Sequence, residues 1–459
     1  MGVMSEGASA NCRPRLRAAD SHHPVRLSLV KSLRRVGFTG LLIVLLPALT
    51  ACVSTAPTTA PTNYLDRVES QIQGTVRVSA STLSPQETNV FFAIPLAKKG
   101  VQPVWLEIEN HGDDELALLL LSIDPDYFSP SEVAWMYRSY LNLKYEEVVD
   151  RFLKHHIPVV VPPGQTVSGF VYTNLDPGAK AFSVELWAEG LHVAFDFAQL
   201  VPGFEADFLN VDFENLYGTR DVQELSLEAV GSYIESLPCC VMGPDEVSQG
   251  DPLNLVIIGD SRHMLATLVR QGWDLTETMR RDTVWKTVAS SLFRSSYRTS
   301  PISPLFLFNR PQDISLQKTR GTVDERNHLR LWLAPVTHNG KHVWVGQISR
   351  DIGVKLSRKT LVTHKIDPIV DEARLYITLD LAASRALEAL GYAGGVGIST
   401  RADPRVNYTR DPYYTDGLRI VLILDETRRS LEQTRLLDWV DPAAIRSGTQ
   451  VETVPVQEQ

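Results

Sequence analysis

Cysteine is scarce: Cys12, Cys52, Cys239 and Cys240 are the only four among 459 residues. Cys239 and Cys240 are adjacent, and neighbours rarely reach disulfide geometry without strain. They read as buried apolar side chains, with redox chemistry as the lesser alternative. Basic charge is scarce as well. The whole chain carries −9, and without residues 1–51 the balance is 38 basic against 52 acidic side chains, or −14. The part after residue 51 has no Lys/Arg cluster large enough to neutralise a polyanion, which excludes nucleic acid as a partner. An anionic lipid surface would not attract this body either. A membrane-spanning segment is also missing, because the apolar run from Val36 to Leu49 is too short to cross a bilayer comfortably.

What that run does have is a charged lead-in. Arg26, Lys31, Arg34 and Arg35 precede it, which is the layout of an export signal. Its end, Leu49-Thr50-Ala51-Cys52, resembles the bacterial lipobox, where the peptide is cut before the cysteine and the cysteine carries the lipid. The expectation is a signal peptide over residues 1–51, lipidation at Cys52 and attachment to the membrane through that anchor alone. An ordinary cleaved secretory signal is the alternative. Val53 and Ser54 resemble the outer-membrane default of the lipoprotein sorting rule, so the expected address is the bacterial cell envelope, on the periplasmic face of the outer membrane. Residues 1–30 are long and polar for a leader, which suggests a start site assigned upstream.

Residues 52–64, rich in Thr, Ala and Pro, have little to bury and predict a solvated tether. Over residues 65–215 the dominant period is two. Val104, Leu106 and Ile108 alternate with Trp105, Glu107 and Glu109, and Val193, Phe195 and Phe197 alternate with His192, Ala194 and Asp196. Pro162-Pro163-Gly164, Asp176-Pro177-Gly178 and Glu189-Gly190 supply turns at sandwich-like spacing. One helix interrupts the strands, with Ser129 as cap, Pro130 at N1 and Glu132 at N3. The expected fold is therefore multi-domain, starting with a β-rich immunoglobulin-like sandwich that carries a helical insertion. Residues 216–251 read as a connector, 252–430 as an α+β domain and 431–459 as a polar tail. In the α+β domain a short strand spans Asn254–Ile258, and helices are expected over Arg262–Gln271 and Thr283–Arg294. Asn339-Gly340 joins two alternating strands in an antiparallel hairpin. A long packing helix is predicted from Asp367 as cap to Gly391, with Tyr376, Leu379, Ala383, Leu387 and Leu390 on one face. Leu418–Leu424 is expected to be the last strand, and the polar stretch 391–416 is long for a loop.

Several blocks in this second half are distinctive: Asn254-Leu255-Val256-Ile257-Ile258-Gly259-Asp260, Gly272-Trp273, Phe308-Asn309-Arg310-Pro311-Gln312-Asp313, Asp324-Glu325-Arg326-Asn327-His328-Leu329-Arg330-Leu331-Trp332, Val343-Trp344-Val345-Gly346, Ser349-Arg350-Asp351-Ile352-Gly353, Thr363-His364-Lys365-Ile366-Asp367-Pro368 and Asp416-Gly417. In this order they resemble the LssY-like C-terminal domain family, over about Pro252 to Asp425. Some relatives carry the domain beside membrane-embedded segments of the DedA or phosphatidic-acid-phosphatase type, which implies work at the cell envelope. The phosphatase's own Arg, Ser-Gly-His and His motifs have no counterpart here, so the resemblance implies no activity.

The hairpin predicts a site. A two-residue turn at Asn339-Gly340 sets His328 opposite Asp351, Arg330 opposite Ser349 and Trp332 opposite Gln347. Leu329, Leu331, Leu333, Trp344 and Ile348 occupy the other, core-facing side. An imidazole beside a carboxylate is an acid–base pair, which makes His328 and Asp351 the candidate catalytic residues. Glu325, Arg326, Arg330, Arg350, His364 and Asp367 are candidate binding residues around them. The same residues also suit a structural network closed by cross-strand pairs. His364 and Asp367 lack a recognised metal spacing, and no cofactor or metal is expected. Gly259-Asp260-Ser261 resembles the first block of the GDS esterases, but the later Gly-x-Asn-Asp and Asp-x-x-His blocks have no suitable counterpart, and Ser261 reads as a helix N-cap. His155 and His156 end a helix, where cations suit the dipole. The first functional expectation is a non-enzymatic, lipid-anchored envelope protein that binds a small polar ligand or an envelope protein. The second is a hydrolase acting on an envelope lipid, glycan or phosphoester, with His328 as base and Asp351 as its orienter.

Overall fold

Alternating apolar residues build two antiparallel sheets from the first part of the chain in the computed structural model, which describes residues 63–139, 144–218, 221–278, 298–319, 326–357 and 361–440, without the side chains of 354–364. The expected signal, Cys52, the expected helix over Thr283–Arg294, Glu325 and the His364 side chain lie outside this description. One sheet has the order β1 (Glu69–Gln73), β2 (Val76–Thr82), β3 (Val101–Asn110) and β6 (Thr166–Asn174). The other has β5 (Val160–Val161), β4 (Leu116–Leu118), β7 (Ala179–Ala188) and β8 (Leu191–Leu200). Val78, Leu106 and Ile108 from the first meet Phe182, Val184, Phe195 and Phe197 from the second in one buried cluster. Each strand thus buries one face, as period two requires.

The insertion is larger than expected. Helices α1 (Pro85–Phe92), α2 (Pro130–Met136) and α3 (Tyr145–His155) share a second cluster, in which Phe92, Val133, Val148 and Phe152 pack on Phe170 and Tyr172 of β6. The predicted capping box is present: Ser129 Oγ accepts from Glu132 N at 3.2 Å, and Glu132 Oε2 accepts from Ser129 N at 2.7 Å.

The second body is a mixed ten-stranded sheet covered on both faces. Its strands are β9 (Gln223–Glu224), β10 (Leu255–Gly259), β11 (Asp274–Leu275), β12 (Ile314–Thr319), β13 (Arg326–His338), β14 (Lys341–Ser357), β15 (Leu361–Ile366), β16 (Leu387–Ala393), β17 (Arg419–Leu424) and β18 (Arg435–Leu436). The order is β11-β12-β13-β14-β10-β17-β16-β18, with β9 beside β13 and β15 beside β14. Helices α5 (Ser261–Arg270) and α6 (Val370–Ala383) cover one face, where Met264, Leu268, Ile377 and Leu381 pack on Leu255, Leu329, Leu331 and Trp344. Helix α4 (Leu227–Ser236) covers the other, where Val230 and Ile234 pack on Val256, Trp332, Val343 and Val421. Burial on both faces explains why β10 and β17 are continuous apolar runs rather than alternating ones.

Several expectations are corrected. The stretch 216–251 is no connector, because β9 joins β13 and the apolar stripe of α4 enters the core. The sheet also continues past residue 430, where β18 pairs with β16 and Leu437 is buried. The long helix stops at Ala383; Arg385 takes φ 66°, and Leu387–Ala393 is a strand with alternating burial. Leu387 and Leu390 lie in this strand, whose register shifts between Leu387 and Ala389, and Leu379 is exposed. The position before α6 is Ile369, while Asp367 Oδ1 accepts from Ile369 N at 3.0 Å within the preceding turn. Asp260, not Ser261, caps α5, accepting from His263 N at 2.9 Å. β17 lies inside the sheet, parallel to β10, rather than closing it. Cys239 and Cys240 are joined as a vicinal disulfide, contrary to the expectation of two thiols. The loop 391–416 holds its own short hairpin, Arg405–Val406 against Pro412–Tyr413.

Ion pairs tie the sandwich to the second body. Asp196 of β8 meets Arg270 Nη1 at 2.5 Å and Arg428 Nη2 at 2.9 Å, and Arg428 also pairs with Glu185 of β7. Burial raises the Asp196 carboxyl, but the two guanidiniums and Ser183 outweigh it and hold the carboxyl below its ordinary value. Arg298 similarly bridges Asp176 and Asp274, at 3.4 and 2.8 Å.

Candidate functional site

The hairpin that carries the candidate pair turns as predicted, with φ 51° at Asn339 and 71° at Gly340. Thr337 stands opposite His342, but between Leu333 and Thr337 the register shifts. Beyond the shift His328 faces Ser349, Arg330 faces Gln347 and Trp332 faces Val345. This corrects the expected pairing of His328 with Asp351. Pro335 lies within the irregular stretch and has no N–H for the ladder, which accounts for a bulge there. The slip is an even one, so every side chain keeps its face. Asp351 therefore reaches His328 diagonally, with Oδ2 3.2 Å from Nε2.

Around that contact lies a buried polar cluster on the α4 side of the sheet. Gln317 of β12 pairs with His328, and Ser315 with Arg330. Arg326 donates to Ser300 Oγ at 3.1 Å and to Gln317 Oε1, and its Nε lies 3.8 Å from Asp351 Oδ2. Arg330 donates to Gln347 Oε1 at 2.8 Å and to the Ser303 carbonyl at 3.2 Å. Gln347 in turn donates to Asp251 Oδ2 at 3.3 Å, and Asn407 donates to Asp251 Oδ1 at 2.9 Å. Burial pushes the Asp251 carboxyl above its ordinary value, against the pull of Asn407 and Arg330. Burial lowers Arg330 and raises Tyr408. Each cation thus has carboxylate or amide partners within the layer, which is what a buried charge requires.

Exposure decides what this cluster can do. His328 is 6% exposed, Asp351 2% and Arg326 3%. A general base must reach a substrate proton directly or through one water, and these groups are buried in the layer that also holds Asp251, Ser300 and Asn407. Of the other predicted residues, Arg326 and Arg330 join the cluster. Arg350 donates instead to Asn327 Oδ1 at 3.1 Å and lies over the Tyr376 ring, 5.7 Å from its centroid. Asp367 has its side-chain hydrogen bond in the turn before α6. Among the described residues no group of three or more His, Cys, Asp and Glu could hold a metal ion. No helix among them is long and apolar enough to cross a membrane.

Residues 237–418 match the LssY C-terminus family. The LssY match takes in every residue of the buried cluster, from Asp251 to Asn407, and leaves the sandwich outside. It also stops just before β17. No curated protein matches the chain. Sequence reasoning missed Gln317, Asp251, Asn407 and Ser300 within the LssY region. The alternation Ile314-Ser315-Leu316-Gln317 could have revealed the first, because Ser315 and Gln317 share the face of a strand that buries both sides. Asp251, Asn407 and Ser300 reach the cluster through tertiary contacts, which leave no period in the sequence.

Proposed function

We propose that this is a lipid-anchored protein of the bacterial cell envelope whose LssY-like body is a binding or interaction module, and that the His328–Asp351 cluster is its internal scaffold. The observation that carries this reading is the burial of the pair: Asp351 is 2% exposed and shares its carboxylate between His328 and Arg326. A hydrolase built on that pair would need a path for substrate and water to it. The Leu49-Thr50-Ala51-Cys52 stretch supports the anchor, and Val53-Ser54 after it supports the address at the periplasmic face of the outer membrane. Two four-stranded antiparallel sheets sharing one core support an immunoglobulin-like reading of the sandwich. The partner is then an envelope protein or a small polar ligand.

The test of the scaffold reading compares wild type with His328→Ala on p-nitrophenyl phosphate, p-nitrophenyl acetate and a p-nitrophenyl glycoside. No turnover should depend on His328. Turnover abolished in a folded His328→Ala variant would overturn the reading. The anchor is tested separately by mass spectrometry of the mature N-terminus, where an unacylated peptide beginning elsewhere would refute it.

A further inference from the structure

Away from the buried cluster, a serine and a histidine meet near the surface at the other end of β10. Gly259 ends that strand opposite His342 of β14, and Ser261 is the first residue of α5. Ser261 Oγ lies 2.9 Å from His342 Nδ1, and the Trp344 indole nitrogen donates to the same Oγ at 3.3 Å. An indole N–H can only donate. Ser261 thus accepts from Trp344, and in the His342 tautomer with an unprotonated Nδ1 it gives its own proton to that nitrogen, the direction a nucleophile–base pair requires. His342 is exposed and Ser261 partly so, in contrast to His328 and Asp351.

We propose that Ser261 and His342 form a nucleophile–base pair that accepts acyl groups from small, uncharged carboxylic esters. The inference goes beyond the binding reading and uses none of the residues of its cluster. Three features argue for acyl rather than phosphoryl chemistry. The Phe213 ring packs on Trp344 at 5.9 Å between centroids, so the surroundings of the indole that donates to Ser261 are aromatic rather than charged. The first N–H groups of α5, those of Ser261 and Arg262, have no intrahelical acceptor, and unpaired donors at a helix N-terminus favour a developing oxyanion. The −9 charge of the chain disfavours anionic phosphoesters.

The step balances without any further reagent than water. Ser261 Oγ attacks the ester carbonyl carbon while its proton passes to His342 Nδ1, and the carbonyl electron pair moves to oxygen. The tetrahedral oxyanion collapses and expels the alcohol, which takes the proton from His342. Water then attacks the acyl-serine, again giving a proton to His342, and releases the carboxylic acid as Ser261 regains its hydrogen. Among the described residues no carboxylate hydrogen-bonds the second nitrogen of His342, so the pair is a dyad. Deacylation should accordingly be slow, and p-nitrophenyl acetate should give a burst.

The experiment treats the full-length protein with a fluorophosphonate probe and follows intact mass, with peptide mapping of the adduct. One adduct per chain on Ser261 is expected, absent from Ser261→Ala and formed at least roughly 100-fold more slowly in His342→Gln, the usual minimum for loss of a general base. Urea unfolding of each variant should match wild type, which separates lost chemistry from lost fold. No adduct on wild type, an adduct that survives Ser261→Ala, or wild-type labelling of His342→Gln would each overturn the proposal. Failure here leaves the His328 comparison untouched, because neither residue belongs to that cluster.

Discussion

Arg419 offers the sharpest test of how the LssY-like body is held together. It is fully buried at the start of β17, and its guanidinium donates to six backbone carbonyls. Those of Leu237 and Pro238 lie just beyond the end of α4, and that of Ile234, in its last turn, also accepts from Leu237 N. The carbonyl of Leu253 precedes β10, and those of Gly394 and Gly395 follow β16. One side chain thus fastens a helix end to both neighbours of its own strand. Arg419→Met keeps the volume and removes every donor. The bonds to Leu253, Ile234 and Leu237 are wholly buried; Ile234 keeps its Leu237 N donor, while Leu253 and Leu237 lose theirs at a cost of about 1–3 kcal/mol each. Water or small shifts will relieve the remaining three, so the expected loss is about 4 kcal/mol, a large share of a typical domain's stability. Arg419→Lys carries a compact charge with three donors and should recover roughly half of that loss. The assay is urea unfolding followed by fluorescence of Trp273, Trp332 and Trp344, all buried in this body. A methionine variant within about 1 kcal/mol of wild type would refute the reasoning, since buried cations are sometimes replaceable by apolar side chains at no cost.

Further outcomes follow from neighbouring details. Gly395 takes φ 102°, and a Cβ there would meet Arg419 and, at 2.8 Å, the Glu235 carbonyl. Gly395→Ala should therefore lose at least about 2 kcal/mol more than Gly164→Ala, which has the same backbone cost of about 1 kcal/mol and open space around it; equal losses would count against the Arg419 anchorage. Asp207 is pushed up to about 6 by burial, despite hydrogen bonds from Ser315 and Thr276. Because its folded pKa lies above the unfolded value, it favours folding at low pH, and that contribution is lost as pH rises from about 4 through 6. Asp207→Asn should thus gain on wild type by on the order of 2 kcal/mol between about pH 4 and pH 7 in urea midpoints, and a pH-independent difference would contradict the assignment. Arg428→Ala breaks the link from the second body to Glu185 and Asp196 and should cost about 1–2 kcal/mol, less at high salt because the groups are partly exposed. A loss that ignores salt would mean that packing, not charge, joins the two parts.

How much of this was legible depends on where each signal is stored. The sandwich strands, the Ser129 capping box and the Asn339-Gly340 turn are local patterns, and each appears where the sequence places it. The polar face of the hairpin was legible too, because an even slip at Pro335 leaves the faces unchanged. The pairing within it was not, since counting back from the turn takes no account of the register shift around Pro335. The long helix failed for a related reason: the i, i+3 spacing of Leu387 and Leu390 reads as a helical stripe, and the strand that pairs with β17 shifts register between Leu387 and Ala389. Arg419 was visible as a lone cation in the run Leu418-Arg419-Ile420-Val421-Leu422-Ile423-Leu424, yet its partners are carbonyls brought together only by the fold. Ser261 and His342 are likewise far apart in sequence and adjacent only because β10 pairs with β14.

The buried cluster is proposed as the scaffold of the LssY-like body. Its most direct test is the unfolding free energy of His328→Ala beside wild type, in the soluble protein beginning after Cys52. Removing the imidazole leaves Asp351 without its 3.2 Å partner and a void beside Gln317 and Ser349. The account predicts a loss of about 2 kcal/mol or more. Unchanged or increased stability would mean that His328 is kept at a cost to the fold, as active and binding sites often are, and would contradict the account.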